Sequence, residues 1–139
     1  MTALAASDWG VSVTDRRIEN KLRVNRVKLT LNTDGGFYPS GTVGIALPTT
    51  ASTWGMVRNI DYICIYDNDA LNGILWKYLV TSHQIAGFWS ENPTAAGGPT
   101  HFSMLPTTWS PSDSPSQPTI YVEAKGWWDW GTSVPLSFS

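Results

Sequence analysis

The sequence predicts an all-β fold: a single antiparallel β-sandwich, jelly-roll-like in form, with an N-terminal arm and long loops. Several short segments alternate apolar and polar residues with the period of two that a half-buried strand requires. Residues that favour turns separate these segments, and the 139-residue chain contains 12 glycines and 9 prolines. We therefore assign residues 1–21 to the arm and residues 22–139 to one sandwich domain.

The composition argues against several other classes of protein. Charged residues make up only 14% of the chain, and its net charge is −2. These values are not those of a coiled coil, a strongly basic nucleic-acid module or a charge-rich disordered chain. No signal peptide and no apolar stretch of membrane-spanning length is visible in the sequence, so we expect no membrane contact.

The first strand is predicted at residues 22–31, after a short helix-like stretch at 14–22. Val27, Leu29 and Leu31 share one face of this strand, and Arg26, Lys28 and Thr30 share the other. Turn residues follow at 32–36, and a second strand is predicted at 42–47. These elements place the beginning of the sandwich immediately after the arm.

Two further strands, at 60–66 and 74–80, are apolar on both faces except at Asp61 and Lys77, and the turn residues between them predict a hairpin. A strand of a two-layer sandwich normally has one face in water. A second cover is therefore expected, which is either another subunit or a long loop of the same chain. If it is another subunit, we expect the oligomer interface to include Ile63, Ile65, Trp76, Tyr78, Trp127, Trp128 and Trp130.

The second half of the chain contains more strand signals and one proline-rich segment. Residues 108–118 contain three prolines and are predicted to form an exposed loop. Short strands are predicted over the remaining apolar or alternating segments: 85–89, 102–105, 119–125 and 134–138.

We find no catalytic, cofactor-binding or metal-binding motif in the sequence. Asp67 and Asp69 lie in a turn segment, where Asp side chains more often bond to the local backbone than form a glycosidase pair. His83 and His101 lack the close spacing of zinc motifs. Cys64 lies in an apolar run and is predicted to be a buried, inert thiol. We expect a protein that is not an enzyme and that binds no cofactor or metal.

Six of the nine basic residues lie between positions 16 and 28. This cluster is either a surface that contacts an acidic protein or an ordinary solvated face. Nucleic acid is disfavoured as a partner, because the rest of the chain is acidic and no aromatic residue interleaves with the cluster.

The eight tryptophans are the strongest chemical signal in the sequence. A domain of this size cannot easily bury all of them, so some are expected at interfaces, where Trp is enriched. Stacking against sugars is the competing use, for which the candidates are Trp89, Trp109 and Trp127.

Residues 32–42 read Asn-Thr-Asp-Gly-Gly-Phe-Tyr-Pro-Ser-Gly-Thr and lie between two predicted strands. This segment resembles the Tyr-Pro-x-Gly-Gly loop of small β-sandwich proteins from tailed-bacteriophage virions, although Thr42 stands where a second glycine is usual. The resemblance covers residues 22–127 in the order of elements. Its matching loop positions are Asp34, Gly35, Gly36, Tyr38, Pro39 and Gly41.

The resemblance implies a capsid decoration (cement) protein, which is a non-enzymatic structural protein of the virion. Such a protein binds the major capsid protein on the outer capsid surface, bridges capsid subunits and is assembled in the host cytoplasm. It also implies a homo-oligomer, a trimer more than a dimer. We expect contact with the capsid through residues of the arm, namely Arg16, Arg17, Lys21 and Arg23. The alternative is a carbohydrate-binding or receptor-binding module of a virion that uses Trp stacking.

Overall fold

The computed structural model is a sandwich of two antiparallel β-sheets, so the predicted all-β sandwich is confirmed. The structure describes residues 2–19, 22–40, 44–56, 60–69, 72–90 and 102–127. Short 3₁₀ turns lie before the first strand at Ala6–Asp8 and between later strands at Ala51–Trp54 and Pro111–Asp113. Within the described residues, no helix has the length and hydropathy that crossing a membrane would require.

The strands of the described residues are β1 (Trp9–Glu19), β2 (Leu22–Leu31), β3 (Ile45–Ala46), β4 (Ile60–Asp67), β5 (Ile74–Leu79), β6 (Gln84–Ser90), β7 (Phe102–Met104) and β8 (Thr119–Trp127). The first sheet has the order β1-β2-β8-β4. In the second sheet β6 pairs along its length with β5, while β3 pairs with the beginning of β6 and β7 with its end. Both sheets are antiparallel throughout.

Strands β2 and β8 form the centre of the first sheet, and their alternating sequences explain why. The inward apolar side chains of both strands are fully buried: Val27, Leu29, Leu31, Ile120, Val122 and Ala124. Burying one face of each strand removes apolar surface from water, and this stabilises the fold by about 25 cal/mol per Å² buried. The strands predicted at 22–31 and 119–125 are confirmed, as are the short strands at 85–89 and 102–105.

The hairpin predicted between residues 60–66 and 74–80 is wrong. Strand β4 pairs with β8 in the first sheet, whereas β5 pairs with β6 in the second, so the connection crosses between the layers. Each strand also has one solvent-facing side: Leu75 and Tyr66 are exposed although both are large and apolar. Because apolar residues also occupy the solvent-facing side, these strands looked in the sequence like strands that are buried on both faces.

Residues 9–19, which the sequence analysis placed in an arm, form strand β1 at the edge of the first sheet. This strand pairs with β2 from Trp9 to Glu19, with a bulge between Val13 and Asp15. The helix predicted from residue 14 onwards is therefore wrong over 14–19. The cause is tertiary: Trp9 is buried in the core and draws the segment onto the sheet.

The core between the sheets is rich in tryptophan. Four indoles are almost wholly buried, namely those of Trp9, Trp54, Trp76 and Trp109. Trp76 makes edge-to-face contacts with Trp9 at 6.0 Å and with Trp109 at 6.1 Å between ring centroids, a geometry that aromatic rings favour. The core therefore holds more tryptophan than its size led us to expect. The loop predicted at 108–118 is also less exposed than expected, because Trp109 and Pro111 are buried.

Candidate functional site

The first sheet has one face on the core and one face towards solvent. Since Val27 and Val122 point into the core, their chain neighbours Arg26 and Glu123 point the other way. The register of the strands then brings together a set of residues that we call the outer face: Asp15, Arg17, Arg26, Lys28, Cys64, Tyr66, Tyr121, Glu123 and Lys125.

The outer face has an ion-pair network around Glu123. Its carboxylate accepts hydrogen bonds from Arg17 Nη2 at 3.5 Å and from Arg26 Nε at 3.3 Å. Exposed pairs of this kind contribute little to stability, about 0–1 kcal/mol each. Basic side chains outnumber acidic ones on this face, although acidic residues are in excess in the whole chain. The arrangement therefore suits recognition of a negatively charged partner better than stabilisation of the fold.

Two tyrosines lie beside these charges. The Tyr66 and Tyr121 rings are 6.3 Å apart, and the guanidinium of Arg26 lies 5.1 Å from the centroid of the Tyr66 ring, within the range of a cation–π contact. In the sequence, no aromatic residue lies among the basic ones, because the tyrosines come from β4 and β8, whereas Arg26 is on β2. The outward position of Tyr121 in an alternating strand was the available signal for this neighbourhood.

The four residues expected to form a capsid-binding arm do not share one surface. Arg17 is on the outer face, paired with Val24, but Arg16 is paired with the buried Asn25 and thus projects to the opposite side of the sheet. Arg23, opposite Ile18, projects to that same side. Lys21 lies outside the described residues. The predicted arm is thereby replaced by a strand whose basic residues are divided between two faces.

The residues expected at an oligomer interface are mostly core residues. Ile63 is 3% exposed and Trp76 is 2% exposed, both enclosed by the same chain, so their prediction as interface residues is wrong. Ile65 and Tyr78 pack partly against the same core. The side chain of Trp127 and the whole of Trp128 and Trp130 lie outside the described residues. The homo-oligomer stays a prediction.

The three tryptophans considered as sugar platforms differ in how the structure places them. Trp109 is 3% exposed and contacts the Tyr38 ring at 6.5 Å, so the prediction of a stacking platform there is wrong. Trp89 packs partly against the core. The side chain of the third candidate, Trp127, is not described.

The loop that resembles virion proteins has a structural role here. Its turn positions Asp34 to Gly36 lead to Tyr38, which is 2% exposed. The Tyr38 hydroxyl accepts a hydrogen bond from the Gly87 backbone N–H at 3.1 Å, and the Tyr38 backbone N–H donates to the Trp109 carbonyl at 2.9 Å. Burial raises the pKa of Tyr38, with the Gly87 bond acting in the opposite direction. Pro39 follows in the same loop, and Gly41 lies outside the described residues.

At one end of the outer face the turn after β4 and the segment before β8 enclose a polar groove of about 430 Å³. The residues that line it include Lys28, Asp67, Asn68, Asp69, Gln117 and Tyr121. Asp69 is 5% exposed, and its carboxylate accepts hydrogen bonds from Asn72 Nδ2 at 2.9 and 2.8 Å. Burial raises the pKa of Asp69, and its hydrogen bonds oppose this shift. Asp69 therefore takes the local structural role that turn aspartates commonly have.

Cys64 is exposed, which corrects the prediction of a buried thiol. It occupies an outward position of β4 opposite Glu123, where the apolar run of sequence gave no indication of its direction. Across the described part of the chain, no group of three or more His, Cys, Asp or Glu side chains could hold a metal ion. Comparison of the chain with protein-family models, curated proteins and solved structures finds no match.

Proposed function

We propose that the protein is a structural protein of a virion, of the capsid-decoration type, and that it docks on an acidic surface of the major capsid protein through the outer face. The observation that carries the proposal is the outer face itself, where Arg17, Arg26, Lys28 and Lys125 surround Glu123 on a solvent-facing sheet. The resemblance of residues 32–42 to a loop of virion proteins supports the identity of the partner.

An open sheet face suits this function physically. Its backbone is fixed by strand pairing, so the backbone loses little conformational freedom when a partner binds. Each contact is modest, but repeated copies on a capsid lattice add their effects, since every copy joins subunits that are already close together. Such bridging would help a capsid to resist the internal pressure of packed DNA.

The proposal is tested with capsids that lack this chain. We expect the wild-type protein to bind them and to raise the temperature at which they release DNA. Arg26→Gln removes one outer-face charge and leaves Arg17 to pair with Glu123, so we expect binding several-fold weaker and less sensitive to salt.

The matched control is Lys77→Gln, which removes one exposed charge from β5 in the other sheet. Its binding should equal that of the wild type. Equal weakening by both variants would show a non-specific charge effect. Capsids whose DNA release is unchanged by the bound protein would contradict the stabilising role.

A further inference from the structure

The polar groove at the end of the outer face has the form of a small-ligand site. It lies between Asp67–Asn68 on one side and Gln117–Thr119 on the other, with Lys28 and Tyr121 also in its lining. Its volume of about 430 Å³ falls within the range of about 300–1,000 Å³ that is usual for ligand pockets.

Hydrogen bonds between the two sides hold the groove in shape. Asn72 is central: its Nδ2 donates to both oxygens of Asp69, and its Oδ1 accepts from the backbone N–H of Ser116 at 3.1 Å and from its hydroxyl at 3.2 Å. Gln117 Nε2 donates to the Leu31 carbonyl at 3.0 Å. A groove fixed in this way loses little freedom when it is occupied.

An irregularity in β4 directs two side chains towards the groove end of the face. Ile65 pairs with Val122 and Asp67 with Tyr121, so Tyr66 is an extra residue opposite the regular strand β8. Such bulges bend a strand and re-aim its side chains. Here the bulge sets the Asp67 carboxylate and the Tyr66 ring beside Tyr121.

The chemistry of the lining indicates the ligand. Lys28 donates only, the Asp67 carboxylate accepts only, and the Tyr121 hydroxyl does both, so the groove suits groups that can donate and accept at once. Sugar hydroxyls are such groups, and the weakly positive C–H groups of a sugar ring suit the negative face of a tyrosine ring. A phosphate would meet the exposed Asp67 carboxylate as well as Lys28, which disfavours an anion.

We propose that this groove binds a neutral sugar unit of a glycan. The site is distinct from the tryptophan platforms and does not require the capsid contact described above. Asp67 is the hydrogen-bonding anchor, and the Tyr121 ring is the stacking surface.

The test uses the isolated full-length protein labelled with ¹⁵N, with amide shifts followed by NMR. The probes are D-glucose, D-galactose, D-mannose, N-acetyl-D-glucosamine and a dextran oligosaccharide, with inorganic phosphate for comparison. We expect at least one sugar to give saturable shifts concentrated at residues 67–69 and 116–121. Asp67→Asn should weaken that binding about tenfold, because it replaces a charged acceptor with a neutral amide.

Asp15→Asn is the control, since it removes an exposed outer-face carboxylate on the far edge strand. It should bind the sugar like the wild type. The proposal is overturned if no sugar shifts the groove amides, if phosphate saturates them more readily than every sugar, or if both variants weaken binding equally. Because no capsid is present, none of these outcomes bears on the capsid-binding proposal.

Discussion

At the scale of single residues, the two carboxylates of the β4–β5 connection, Asp67 and Asp69, have different surroundings. Asp69 is enclosed and held by Asn72, while its neighbour Asp67 is exposed at the groove. The sequence shows the two carboxylates as equivalent members of one turn. Only the fold separates a structural carboxyl from one that is available to a ligand, because burial depends on segments distant in the chain.

The raised pKa of Asp69 has a consequence for stability. Burial favours its protonated form in the folded state, so its contribution to stability is fully present below the unfolded pKa of about 3.9 and is lost as the pH rises through the folded pKa. Asp69→Asn cannot ionise. The free energy of unfolding of the wild type should therefore fall relative to that of the variant across this pH window.

Urea unfolding at a series of pH values measures this difference. Asp15→Asn controls for the loss of an exposed charge. A wild type that gains stability relative to Asp69→Asn as the pH rises would show that the Asp69 pKa is lowered instead.

At the scale of elements, β5 is an edge strand that is partly covered by the connection preceding it. Asn68 Oδ1 accepts a hydrogen bond from the Trp76 backbone N–H at 2.6 Å, and the Asp69 carbonyl accepts from the Ile74 N–H at 3.4 Å. These acceptors take the place of a neighbouring strand. Covering an edge in this way limits pairing with other chains, so β5 does not offer a free edge at these positions.

Asn68→Ala leaves the Trp76 N–H without this acceptor. We expect the free energy of unfolding to fall by about 1 kcal/mol, and self-association at high protein concentration to increase. Denaturant unfolding and sedimentation measure the two effects.

Asn32→Ala is the matched control, because Asn32 Oδ1 accepts from the Asp34 N–H at 3.1 Å in an exposed turn. Water can replace that bond, so the loss should be smaller. A loss at Asn32 as large as that at Asn68 would contradict the edge-covering role.

At the scale of the whole molecule, local patterns predict the strands but not their partners. The alternation in β2 and β8 is visible within single segments of ten and nine residues, so these strands were predictable. The turn residues between β4 and β5 suit a hairpin as well as a crossover. The change of sheet between these two strands was therefore not predictable from the sequence. The outer face was hidden for a similar reason: Arg26 and Glu123 are 97 positions apart.

The sandwich also encloses more of its apolar surface than the sequence indicates. Among the described residues, the exposed large apolar side chains are spread over different places, namely Ile18, Tyr66, Leu75 and Val80. The apolar strands β4 and β5, from which an oligomer was predicted, have most of their inward residues in the core of one subunit. An oligomer would therefore need a different surface from that of Ile63 and Trp76.

The thiol of Cys64 gives the most direct test of the outer face as the docking surface. It is the single cysteine of the chain, it is exposed, and it lies on the edge strand β4 of this face, opposite Glu123. The measurement is the rate at which a maleimide labels the wild-type protein, free and bound to capsids. We expect rapid labelling of the free protein and strong protection on the capsid, whereas equal rates in the two states would contradict docking through the outer face.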